Sequence, residues 1–114
     1  MVTLRSKKRF DDVGELRADG FYEYVYRGYY YELASDECVF FVRTYDDEPG
    51  VAIVSKPTDA LARPEARELV NFITEDMGCT TVRFYAPDGG YRPVDTATLE
   101  FEGSRRTNRC TRAE

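Results

Sequence analysis

Between Pro64 and Gly78 the chain carries a single apolar stripe: Ala66, Leu69, Val70, Ile73 and Met77 recur at spacings of three and four. That spacing puts them on one face of an α-helix. Arg67, Asn71, Thr74 and Glu75 fall on the other face, toward water. Pro64 suits the first turn, Glu65 and Glu68 favour the positive N-terminal end, and Gly78 supplies a stop. The expected helix covers residues 58–77, with "DALAR" at 59–63 as a separate turn ahead of it. No other stretch has this period. One stripe needs one apolar sheet face to cover, so the rest of the core must come from strands.

The strand signals support that. In "FYEYVYRGYYYEL", residues 21–33, six of thirteen residues are tyrosine, and Tyr22, Tyr24 and Tyr26 alternate with Phe21, Glu23 and Val25. Gly28 interrupts the alternation. A two-residue hairpin at Arg27-Gly28 would set Glu23 opposite Glu32, and like charges in register destabilise a sheet. A bulge inside one long strand avoids this. It would gather Tyr22, Tyr24, Tyr26, Tyr29, Tyr31 and Leu33 on one face, leaving Glu23, Arg27, Tyr30 and Glu32 on the other. The helix is then expected over the central tyrosines, with Tyr22 and Tyr24 toward the open end.

"CVFFVRTY" and "VAIVSK" read as further strands, joined by the turn "DDEPG"; the second is continuously apolar and so central. After the helix, "CTTVRFYA", the turn "PDGG" and "YRPVD" form a returning pair, and "ATLEFE" offers one more short strand. "TLRSKKRF" near the start has the pattern of an edge strand. The expectation is one α+β domain over residues 1–102, ordered β-β-β-α-β-β, with an antiparallel sheet of about five strands under one amphipathic helix. Residues 103–114 are expected to be a disordered basic tail.

The net charge of −5 is unevenly placed. "RSKKR" at 5–9 holds four positive charges, and residues 103–114 hold four arginines against Glu114, so the remainder carries −12. The basic ends have three uses open to them: docking nucleic acid, folding back on the acidic body, or simple solvation. The three cysteines, Cys38, Cys79 and Cys110, have no CxxC spacing and read as reduced thiols of a cytoplasmic protein. Neither a signal peptide nor a membrane-spanning run is expected.

The chain has no histidine. That removes the usual base of nucleophilic triads, and "DGGY" lacks the lysine of a phosphate loop. The carboxylate pairs lie in predicted turns, where they are solvated. No catalytic residue, metal site or cofactor is therefore expected. The expected function is a non-enzymatic protein-binding module, a small acidic inhibitor or regulator that occupies a basic surface of a partner, such as its nucleic-acid site. The expected contacts are Tyr22, Tyr24, Asp46, Asp47 and Glu48. Phage and mobile-element inhibitors of host defence, anti-CRISPR proteins among them, share this general character, though no motif here assigns the chain to such a family. The alternatives are a single-stranded nucleic-acid binder stacking bases on tyrosines, an immunity protein, or a structural subunit; a homodimer is compatible with either binding role.

Overall fold

The computed structural model describes residues 1–102, so the expected tail and Cys110 lie outside the described residues. Seven strands among them form one sheet in which spatial order follows chain order. They are β1 (Thr3–Val13), β2 (Val25–Ala34), β3 (Val39–Tyr45), β4 (Val51–Lys56), β5 (Thr81–Tyr85), β6 (Tyr91–Asp95) and β7 (Glu100–Phe101). The sheet is thus wider than the expected five or so strands, because the basic edge strand and the short last strand both join it. It is also not wholly antiparallel: β4 and β5 run parallel. Short turns, and a longer loop between β1 and β2, reverse the chain elsewhere, but the helical segment carries it back to the end where β4 began.

That segment is three short pieces and not one long helix. A 3-10 turn (Ala60–Ala62) precedes α1 (Ala66–Asn71), which runs into a π-helical turn (Phe72–Asp76). The Met77 amide donates to the Phe72 carbonyl at 3.1 Å, and Gly78, at φ 74°, ends the segment. The expected stripe survives these changes of pitch. Ala66, Leu69, Val70 and Ile73 are buried, and Met77 packs against the core from the side. Arg67, assigned to the water-facing side, has a further use. Its terminal nitrogens donate to the carbonyl oxygens of Thr96 and Ala97, each at 2.6 Å, tying α1 to the β6–β7 connection.

The helix rests on one face of the sheet. Leu33, Phe40, Val42, Ala52, Val54, Val82, Phe84 and Val94 meet Leu69, Val70 and Ile73 in a single core. Along each strand these residues alternate with others that point away from the helix.

Gly28 is not a bulge. Both neighbours of β2 pair through it without a shift, Phe10 opposite it on β1 and Tyr45 on β3. The irregularities fall elsewhere, between Leu4 and Ser6 and between Phe41 and Val42. A Cβ at Gly28 would sit 1.8 Å from the Thr44 carbonyl oxygen and 3.0 Å from Phe10 Cζ. Glycine is there for close approach. With no bulge the alternation continues unbroken, so the expected grouping of tyrosines is wrong. Tyr29, Tyr31 and Leu33 share the helix side with Arg27, whereas Tyr26 and Tyr30 share the opposite side with Glu32. The strand is also shorter than expected, because Phe21–Tyr24 lie in a loop, held by a bridge between Leu16 and Tyr22 and by backbone hydrogen bonds such as Gly14 N–H to the Tyr24 carbonyl.

Candidate functional site

The sheet face turned away from the helix has no layer over it among the described residues. Register fixes what it displays. Lys8 and Phe10 of β1 face the same way as Tyr26 and Tyr30 of β2; Phe41, Arg43 and Tyr45 of β3 follow; then Ile53, Arg83, Tyr85 and Tyr91.

The rings form a connected strip. Tyr24 and Tyr26 lie 5.4 Å apart between centroids, Tyr26 and Tyr45 6.2 Å, Phe10 and Tyr45 5.5 Å, and Phe10 and Tyr30 4.4 Å. Farther along, Tyr85 meets Tyr91 edge-on at 5.6 Å. Arg43 joins the two groups, its guanidinium 5.9 Å from the Tyr45 ring and 5.3 Å from the Tyr91 ring. These are distances at which a cation is held by the face of a ring. At Tyr85 the strip borders an apolar cleft of about 410 Å³, lined also by Leu61, Pro87 and Phe101 among others. Much of the strip is open to solvent: Tyr26 is 52% exposed, Tyr30 50% and Phe41 41%.

The middle of this face is built differently. Ile53 is only 8% exposed, yet it lies outside the core under the helix. Its partners in register are Arg43 on one side and Arg83 on the other. Long arginine stems readily lie over apolar neighbours in this way. The Nε atoms of both arginines are buried without a hydrogen-bond partner. Arg83 has a loose contact with Glu48 at 3.9 Å.

Three of the four charges in the basic stretch of β1 are folded back on the body, whereas Lys8 stands on the open face opposite Tyr30. Lys7 stands over the rings of Tyr29 and Tyr31, 4.6 and 5.6 Å from their centres. Arg5 pairs with Glu32 at 3.3 Å. Arg9 lies over Tyr29 and donates to both carboxylate oxygens of Asp46 at 2.8 and 2.6 Å. This two-point contact holds the Asp46 carboxyl below the usual carboxylate range, and it raises the Arg9 pKa.

The residues expected to make partner contacts are therefore only partly brought together. Tyr24 reaches the β3–β4 turn through Tyr26 and Tyr45, and Asp46 and Asp47 line a shallow hollow there with Val25 and Arg27. Tyr22 stands outside the strip, bridged to Leu16. Asp46 is engaged by Arg9 and Glu48 lies beside Arg83, whereas Asp47 makes no ion pair within the described residues. The sequence reading missed Phe10, Tyr30, Arg43, Arg83, Tyr85 and Tyr91. A signal for three of them was present, since in "VRTY" and "TVRFY" Arg43, Arg83 and Tyr85 alternate with the buried residues.

Cys79 is buried, which pushes its thiol pKa up, and Cys38 is half-buried with its Sγ 3.7 Å from the Val39 carbonyl oxygen. Among the described residues no three His, Cys, Asp or Glu side chains gather at metal-binding spacing, and no helix is long and apolar enough to cross a membrane. No protein-family model, curated protein or solved structure matches the chain.

Proposed function

We propose that this chain is a non-catalytic protein-binding module, acting as a small acidic inhibitor or regulator that lays the open face of its sheet on a cationic surface of a partner. The observation that carries the reading is the uncovered strip of tyrosine, phenylalanine and arginine on the side of the sheet opposite the helix. Tyrosine and arginine are the residues that most often anchor protein interfaces, since they give large contact area and directed polar tips at modest entropic cost. Acids edge this strip: Asp12, Glu32 and Glu48 share its face or border it. With −8 over residues 1–102, the basic stretch of β1 included, encounter with a cationic partner is favoured and approach of phosphate is opposed.

The test is affinity capture with the unmodified protein, a Tyr30→Ala variant and a Glu75→Ala control on the helix side. A partner held through this face is retained by the first and third and lost from the second. Retention by all three would place the contact elsewhere and overturn the reading.

A further inference from the structure

We infer that the centre of this face is a receptor for a carboxylate, which the partner presents from within its otherwise cationic surface and seats against Arg43 and Arg83. The inference rests on the protein-binding reading above and names the chemistry of its anchor. Arg43 and Arg83 flank Ile53 in register, about 10 Å apart at the usual strand spacing. An oxyanion set over Ile53 is within reach of both side chains. Arg43 forms no ion pair among the described residues and is held only against the Tyr45 and Tyr91 rings. Arg83 has only its distant contact with Glu48.

Both Nε atoms are buried within the chain, so the terminal nitrogens are the donors that face a partner. A guanidinium that turns its two terminal nitrogens to a carboxylate makes two parallel, charge-assisted bonds. The tyrosine rings around the pair would exclude water from the contact and strengthen it.

Other occupants fit less well. A second copy laid face to face about a two-fold axis would bring the two arginine pairs toward one another, like charge against like. A nucleic-acid backbone could satisfy the arginines and Lys8, but its further phosphates would run onto Glu48 and Asp12.

The experiment follows the arginine Nε–H signals of the intact protein by NMR. The probe is a capped heptapeptide with lysines at its ends and one central glutamate, compared with the same peptide carrying glutamine there and with a dodecamer of thymidylate. The expected result is saturable movement of the Arg43 and Arg83 signals with the glutamate peptide, with the glutamine peptide binding about ten-fold more weakly. Arg43→Lys and Arg83→Lys keep charge and an apolar stem over Ile53 but lose the fork, and each should weaken the glutamate peptide by a similar factor. Equal response to both peptides, unchanged binding by the lysine variants, or tighter binding of the oligonucleotide would each overturn the inference. A partner captured through Tyr30 but indifferent to Arg43→Lys would refute the carboxylate anchor while leaving the protein-binding reading intact.

Discussion

Arg9 holds Asp46 across the full width of β2, with both terminal nitrogens on both carboxylate oxygens at 2.8 and 2.6 Å. The contact joins the edge strand to the turn that follows β3, and it depresses the Asp46 pKa chiefly through these hydrogen bonds. A carboxylate whose folded pKa lies below its unfolded value adds stability above the unfolded value, and that contribution is lost as pH falls through the folded one. Replacing Arg9 with methionine should return the Asp46 pKa toward the ordinary carboxylate range. Carboxyl-carbon NMR titration of both proteins checks this, and an Asp46 titration that does not move would mean that the pair does not persist in solution.

Gly28→Ala should be among the most damaging single-atom insertions in the sheet. Its Cβ would meet the Thr44 carbonyl oxygen at 1.8 Å, and backbone on a paired strand cannot move aside as a flexible side chain can. The expected loss is about 3 kcal/mol, the upper part of the range for overpacking. Urea unfolding measures it. A loss below about 1 kcal/mol would show that β2 and β3 separate at little cost.

This glycine also marks where the sequence stopped being readable. The helix stripe, the strands and the turns are local patterns, and Leu69, Ile73, Val54 and Phe84 sit where their periodicity puts them. Gly28 has two local explanations, a bulge and a close approach, and only the neighbouring strands distinguish them. A bulge would exchange the faces of Tyr29, Tyr30 and Tyr31, and with them the place of Tyr30 in the candidate site. Arg43 and Tyr91 come from strands far apart in the chain, so their contact depended on a strand order that no local signal carries. Likewise, the charges of "RSKKR" were legible, but their fold-back onto Glu32, Tyr29 and Asp46 required the register of β1.

Two substitutions on α1 should separate core packing from surface tethering. Leu69 is fully buried, and its replacement by alanine should cost about 3 kcal/mol through lost contacts and the cavity left behind. Arg67→Ala removes two donors to the Thr96 and Ala97 carbonyls from an exposed side chain and should cost about 1 kcal/mol. Hydrogen exchange should tell them apart, because the second change loosens the β6–β7 connection while the core amides stay protected. Global loss of protection in Arg67→Ala would show that the tether also holds the helix to the sheet.

The partner's charge is tested most directly at Asp47 and Tyr30. Asp47 lies on the β3–β4 turn without an ion pair among the described residues, so its charge is free to act at a distance. Asp47→Lys should slow association with a cationic partner and flatten the salt dependence of its rate, leaving dissociation nearly unchanged. Tyr30 is half exposed on the open face against Phe10. Its truncation to alanine should instead speed dissociation, by about 2 kcal/mol where the ring is an anchor. A nucleic-acid partner demands the opposite sign at Asp47, since removing a negative charge strengthens attraction to phosphate. Stopped-flow association of both variants with the captured partner, and with a thymidylate oligomer in parallel, separates the two cases. Faster association of Asp47→Lys with its partner would reject a cationic docking surface.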